Sequence, residues 1–222
     1  MTDISVVSTK FVESNTLGTY PTFAAGDFAL IFGINEGSAT AVTCPASSGI
    51  SNFRSGGGRW SFIGGRQLVT GSETPEIWTN ATKLGCVIFR SSYYLGIGDS
   101  SNTNGTGVSI PYAGSGMNFS SGLYTGWLCG FGFGVDTAQT GAPSGMTNRG
   151  GLSGASSGHI VYHDTNGDFL NVWTSQSVTP VTSQAYHAWV FRVRSTGILI
   201  PSGGGAVRRR AFAGGYDRRF AA

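Results

Sequence analysis

Several groups of side chains in this sequence have types and spacings that can do chemistry. The densest lies near the C-terminal end, where Arg208, Arg209, Arg210, Arg218 and Arg219 are interleaved with Phe212, Tyr216 and Phe220. Guanidinium groups bind carboxylates bidentately, and aromatic rings add contact area at low entropic cost, so this mixture is interface chemistry. The same residues could serve a nucleic-acid arm through phosphate contacts, or form a solvated tail. Ser202-Gly203-Gly204-Gly205 precedes them, a composition that makes a flexible hinge. The reading adopted is a docking arm for another protein, with nucleic acid the lesser use.

The remaining groups are weaker. Gly154-Ala155-Ser156-Ser157-Gly158 fits the Gly-x-Ser-x-Gly pattern of a nucleophile elbow, which needs a strand, a strained turn and a helix. Here a strand-like His159-Ile160-Val161-Tyr162-His163 follows, and a chance match is expected in so much Gly and Ser. His159, Val161 and His163 would share one strand face with Asp164 adjoining, but zinc takes three or four ligands and His187 falls on another strand. These histidines are expected to face solvent. Asp164-Thr165-Asn166-Gly167-Asp168 has its glycine two positions too early for a calcium loop and lacks the closing Glu. Its Asn166-Gly167 is expected to be a hairpin turn. Glu73 and Glu76 are close in sequence, whereas glycoside hydrolysis needs two carboxylates facing across a cleft. No catalytic, metal or cofactor assignment follows, and the chain is not read as an enzyme.

The elements that must position these residues are strands. The chain of 222 residues has 36 Gly and only 11% charged residues, against roughly 25% in ordinary soluble domains. Aromatics at 12% carry much of the apolar mass, so short strands joined by many turns fit and exposed helices do not. Such a chain suffices for one large β domain or two small ones. Phe28-Ala29-Leu30-Ile31-Phe32-Gly33-Ile34, bounded by Gly26 and Asn35-Glu36-Gly37, reads as a strand buried on both faces. It has an echo at Gly126-Trp127-Leu128-Cys129-Gly130-Phe131-Gly132-Phe133-Gly134.

Other signals repeat in the same order. Cys44-Pro45-Ala46-Ser47 matches Ala142-Pro143-Ser144-Gly145, Trp78-Thr79 matches Trp173-Thr174, and Val87-Ile88-Phe89-Arg90 matches Trp189-Val190-Phe191-Arg192. The offsets run from 95 to 102 residues, as a duplicated unit with loop insertions would give. Within the last segment Trp189, Phe191 and Val193 share one face, and Val190, Arg192 and Arg194 the other. Trp60–Ile63 and Arg66–Val69 are expected to form a hairpin across Gly64-Gly65, with Glu76–Thr79 a short strand. Residues 91–122 read as a polar, Gly-rich connection. The fold class expected is all-β, a β-sandwich or jelly-roll-like body of two related halves, 1–122 and 123–200, with an extended arm at 201–222.

Charge and cysteines bound the setting. The arm carries +4 and the body −1, so basic character belongs to the arm. Cys44, Cys86 and Cys129 sit in or near apolar runs and read as buried hydrophobes of a protein made in a reducing cytoplasm. No run approaches the roughly 18 apolar residues of a membrane span, and Met1–Ser5 lacks the features of a signal peptide.

Ala25-Gly26-Asp27-Phe28 with its apolar strand, Cys44-Pro45-Ala46, and Val87-Ile88-Phe89-Arg90 together resemble the layout of small structural proteins of tailed bacteriophages. The likeness spans most of residues 20–195, and departs from it where Ala46-Ser47-Ser48-Gly49 stands in place of a Pro-x-Gly-Trp continuation. It implies a virion component of tail, adsorption apparatus or capsid decoration, made in the host cytoplasm. It also implies other virion proteins as partners and a homo-oligomer, with a trimer the guess. An alternative is a carbohydrate-binding adhesin for the host envelope, with Trp60, Trp78, Trp173 or Tyr93-Tyr94 as stacking platforms. A polysaccharide-degrading enzyme ranks below it. For Trp60, Trp78 and Trp173 the default is the interior of the sandwich.

Overall fold

The computed structural model describes residues 3–37, 40–56, 59–113, 126–134, 141–153, 158–178 and 182–200, without the side chains of 49–56 and 153. Among the described residues there are strands and no helix, and so no helix long and apolar enough to cross a membrane. The first five strands are β1 (Ser5–Val12), β2 (Phe28–Asn35), β3 (Gly49–Gly56), β4 (Arg59–Gln67) and β5 (Lys83–Arg90). They form an antiparallel sheet in the order β1-β5-β2-β4-β3. The chain continues as β6 (Tyr93–Gly107), β7 (Ile110–Tyr112), β8 (Gly126–Gly134), β9 (Thr147–Ser153), β10 (His159–Asp168), β11 (Gln176–Val178) and β12 (Gln184–Leu199). A second antiparallel sheet has the order β6-β12-β8-β10-β9, while β7 and β11 pair as a separate ribbon. With the ribbon set aside, each sheet places its first strand at one edge, its fifth beside it and its second at the centre. The repeat in the sequence is therefore a repeat of topology.

Period-two alternation explains how the sheets bury their residues. Phe28, Leu30, Phe32 and Ile34 of β2 point into one core shared with Trp127, Cys129, Phe131 and Phe133 of β8. The Phe32 and Phe131 rings lie 4.6 Å apart in that core, and Phe32 is also 5.6 Å from Tyr162 of β10. The opposite face of β2 carries Ala29 and Ile31 into a second core, closed by Leu17, Tyr20, Val42, Leu68 and Trp78. The outer face of the second sheet is likewise covered, by Ile110, Tyr112, Met146, Trp173 and Val178 over Leu128 and Val190. Both central strands are thus buried along their whole length, as their unbroken apolar runs require.

The repeated turns behave alike. The Ser48 amide donates to the Pro45 carbonyl at 3.1 Å and the Met146 amide to the Pro143 carbonyl at 3.0 Å. In the last strands the sequence match runs two residues out of step with the pairing. Phe89 lies opposite Phe28 in the first sheet, and Val193 opposite Trp127 in the second. A slip of two preserves the facing, so Phe89, Phe191 and Val193 all enter the shared core.

Four local expectations are corrected. Gly64 and Gly65 make no turn; β4 runs straight through them, opposite Ile31 and Leu30. A Cβ on Gly65 would collide with the Phe28 ring, so the glycine serves close packing instead. Asn166-Gly167 is no hairpin but an irregularity inside β10, where pairing jumps from Asp164–Cys129 to Asp168–Trp127 and Asn166 takes φ 50°. Residues 93–107, read as part of a connection, are a 15-residue strand bound to β12. Its Gly, Ser, Asn and Thr hide the alternation. Glu76–Thr79 is no strand, and only Thr79 makes a bridge, to Thr43.

Candidate functional site

The arm residues Arg208, Arg209, Arg210, Phe212, Tyr216, Arg218, Arg219 and Phe220 lie outside the described residues. Ser202–Gly205 and Gly154–Ser157 lie outside them too; Gly158 is described, and the strand β10 follows it directly. The chemistry on view therefore belongs to the body, where three polar clusters among the described residues bear on the sequence reading.

The first lies between the sheets. Ser61 of β4 sits opposite Ile34, on the inward face, and His187 and Trp189 share the inward face of β12. The Trp189 indole N–H donates to Ser61 Oγ at 2.9 Å, and Ser61 Oγ lies 2.8 Å from His187 Nδ1. The His187 ring also meets the edge of Phe133 at 6.1 Å. A serine beside an imidazole is the start of a nucleophile, yet Ser61 is 0% and His187 2% exposed. What the trio does is satisfy polar atoms across the core and tie one sheet to the other. Sequence reasoning missed Ser61, which has no local signal. It could have found His187, since alternation puts that residue on the face of Trp189 and Phe191.

The second cluster occupies the segment that faintly resembles a calcium loop. Asp164 is wholly buried and accepts from Arg149 Nε at 3.0 Å and Arg149 Nη2 at 3.0 Å. The Asn166 amide adds a bond to Asp164 Oδ1 at 2.9 Å, Arg149 also reaches the Asn166 side chain, and its guanidinium lies 5.9 Å from the Trp127 ring centroid. A guanidinium thus stands where that reading would put the cation. The planar fork suits the carboxylate, and the indole face adds a cation–π contact.

The third joins two of the fragments that carry the phage-protein resemblance. Asp27, from Gly26-Asp27, accepts from Arg90 Nε and Arg90 Nη2, both at 2.8 Å, and from the Ala24 amide at 2.8 Å. The bonds to Asp27 raise the pKa of Arg90. Gly-Asp and Phe-Arg are therefore two halves of one ion pair that closes the ends of β2 and β5. Lys83, buried on β5, is held in turn by Glu36 Oε1 and Oε2 at 2.8 and 2.9 Å.

The other candidates disperse. Glu73 Oε1 accepts the Val69 and Thr70 amides at 2.6 and 2.7 Å, while Glu76 accepts the Ser47 hydroxyl. Each of these carboxylates is taken up by groups of the surrounding loops. His163 is buried, contrary to expectation, with its ring centroid 5.9 Å from that of Tyr112, edge to face, in the outer core of the second sheet. His187 points to the opposite side of that sheet. Trp78 and Trp173 are core residues, but of the outer cores. Trp78 stacks on Phe62 at 4.4 Å, and the Trp173 N–H donates to the Tyr112 carbonyl at 3.0 Å. The space between the sheets is taken instead by Trp127 and Trp189. Cys86 and Cys129 are buried, and burial raises both thiols well above their ordinary value; Cys44 is half-buried and pushed up to about 11.

His163 yields a pH prediction. Burial lowers its pKa from 6.5 to about 4. Between those values the unfolded chain binds a proton that the folded chain refuses, so stability is lost as pH falls through that window. The expected loss is about 3 kcal/mol by pH 4, since each tenfold difference in proton affinity between the two states is worth about 1.4 kcal/mol. Urea unfolding at pH 7, 5.5 and 4.5, compared with a His163→Phe variant, measures it. A variant that keeps the full decline between pH 6.5 and 4.5 would contradict this assignment.

Comparison with protein families, with curated proteins and with solved structures finds no match.

Proposed function

We propose that this chain is a structural protein of a tailed-bacteriophage virion, part of the tail, adsorption apparatus or capsid decoration. Its body is a β-sandwich of two related halves, and Arg208–Arg210, Phe212, Tyr216, Arg218, Arg219 and Phe220 dock it to neighbouring subunits in a homo-oligomeric assembly. The observation that carries the reading is how the body's polar groups are used. Ser61–His187–Trp189, Arg149–Asp164, Arg90–Asp27 and Lys83–Glu36 each close the fold on itself, which is what a rigid building block requires. Support also comes from the fragments that resemble phage structural proteins, since Gly26-Asp27 and Phe89-Arg90 meet in one ion pair. The arm, by contrast, concentrates groups suited to an interface.

Deletion of residues 202–222 is expected to leave the body folded, with an unchanged far-ultraviolet spectrum, and to abolish incorporation into particles. Normal incorporation would refute the docking role. The adhesin reading keeps Trp60, Tyr93 and Tyr94, which are half-buried, but loses Trp78 and Trp173 to the outer cores. A glycan array without signal would remove it.

A further inference from the structure

The dipeptide Asn-Gly occurs twice in the sequence, at Asn104-Gly105 and Asn166-Gly167, each time preceded by Thr. It is suited to one spontaneous reaction. The backbone nitrogen that follows an asparagine can attack that asparagine's own Cγ, and a glycine there leaves the approach clear because it has no Cβ. The attack needs a backbone free to swing the nitrogen toward the side chain. The fold puts the two copies in opposite settings for that movement.

Asn104 and Gly105 lie in β6 and are held in the ladder, opposite His187 and Tyr186 of β12. The Tyr186 hydroxyl lies 2.9 Å from where a Cβ on Gly105 would stand, so the phenol covers this copy. An extended residue paired in register makes the swing only after its ladder has opened locally.

Asn166 and Gly167 lie where β10 leaves its neighbours. Asp164 pairs with Cys129 on one side and Thr147 on the other, and pairing resumes only at Asp168, with Trp127. The Thr165 hydroxyl fills the gap, accepting from the Leu128 amide at 3.2 Å and donating to the Gly167 carbonyl at 2.7 Å. Residues 165–167 thus stand outside the ladder. Asn166 is exposed and takes φ 50°, a left-handed conformation that asparagine tolerates. Its side chain is also positioned: Arg149 Nη2 donates to Asn166 Oδ1, and the Asn166 amide donates to Asp164 Oδ1 at 2.9 Å. Arg149 is itself fixed by Asp164 and by the Trp127 ring. A guanidinium so placed draws electrons from the side-chain carbonyl and stabilises the negative charge that develops on Oδ1 when Cγ is attacked.

We propose that Asn166 is a site of self-modification, converted in the folded protein to aspartate or isoaspartate. The Gly167 nitrogen bonds to Asn166 Cγ, the Cγ–Nδ2 bond breaks, and ammonia leaves with the proton of the Gly167 amide. Water then adds to either carbonyl carbon of the five-membered imide and opens the ring. Nothing is oxidised or reduced. Opening on one side gives aspartate, which sets a second carboxylate against Arg149 beside that of Asp164. Opening on the other gives isoaspartate, which lengthens the main chain of the irregular stretch by a methylene. Either product adds a negative charge at this point of β10.

The test incubates the full chain in mildly alkaline buffer, folded and in guanidinium chloride. Mass spectrometry follows the two Asn-Gly peptides, and an isoaspartate methyltransferase labels the isoaspartate. In the folded protein Asn166 is expected to convert about tenfold or more faster than Asn104, because Asn104 must first open its ladder. The two rates are expected to converge in denaturant, where only the similar local sequences remain. Gly167→Ala supplies the second arm. Gly167 has no left-handed φ, and the nearest atom to an added Cβ is the Thr165 carbonyl oxygen at 3.9 Å, so the fold accepts the change. It is expected to slow conversion at Asn166 by about tenfold and to leave Asn104 as it was. Equal rates in the folded protein, no product at Asn166, a difference that persists in denaturant, or a rate unmoved by Gly167→Ala would each overturn the proposal.

Discussion

Replacing Phe32 by alanine is expected to destabilise the protein by about 3–5 kcal/mol and to loosen both sheets at once. Phe32 is fully buried at the middle of β2, with ring contacts to Phe11 at 6.0 Å, Phe131 at 4.6 Å and Tyr162 at 5.6 Å. Two of those partners belong to the second sheet, so the cavity would open between the sheets. Close packing leaves little room for collapse around it. A Cβ on Gly85 would already strike the Phe32 ring, which shows how tightly the neighbouring strand β5 is fitted. Urea unfolding followed by far-ultraviolet dichroism and by tryptophan fluorescence should give one coincident transition, displaced to lower denaturant. Two separate transitions, or a loss below about 1 kcal/mol, would show that the shared core does not hold the halves together.

Replacing Arg149 by methionine is the second large effect. Asp164 has a side chain 0% exposed and that of Arg149 is 22% exposed, so loss of the guanidinium strands a carboxylate beside Cys129 and Tyr162. Breaking a buried pair from one side costs about 3–5 kcal/mol, because the remaining charge keeps its desolvation penalty. Removing both partners is a different matter. Arg149→Met with Asp164→Leu is expected to recover most of the loss, since the uncompensated charge is gone. The shift in urea midpoint for the two single variants and the double variant measures the coupling. A single-variant cost below about 1 kcal/mol would place the pair with ordinary surface salt bridges. The double variant also tests whether the irregular stretch 164–168 exists to seat this pair. If so, β10 should lose its offset against β8, visible as altered amide exchange at Trp127 and Asp168.

The central strands, the repeated Pro turns and the all-β class were legible in the sequence. Unbroken apolar runs mark strands buried on both faces, and turn residues act on their own neighbours. Alternation assigned the faces of β12 correctly for Trp189, Phe191 and Val193, and extending it two residues back would have put His187 on the side of the shared core, where it lies buried and not in solvent as expected. The polar strand β6 was not legible. Gly, Ser, Asn and Thr carry almost no periodic signal, and its pairing with β12 supplies what its own side chains do not.

What the chain determined by itself is local: which segments extend, which residues share a face, where the backbone turns, and that its positive charge sits in the arm. Tertiary structure decided what meets across long separations. Gly64-Gly65 has the chemistry of a turn but lies mid-strand, paired on both sides, where a Cβ on Gly65 would meet the Phe28 ring. Ser61 acquired its partners His187 and Trp189 from more than a hundred residues away, and Asp27 acquired Arg90 from 63 residues further along the chain. Periodicity and turn preference are properties of a few neighbouring residues, whereas the register and stacking of two sheets depend on the packing of all their side chains together.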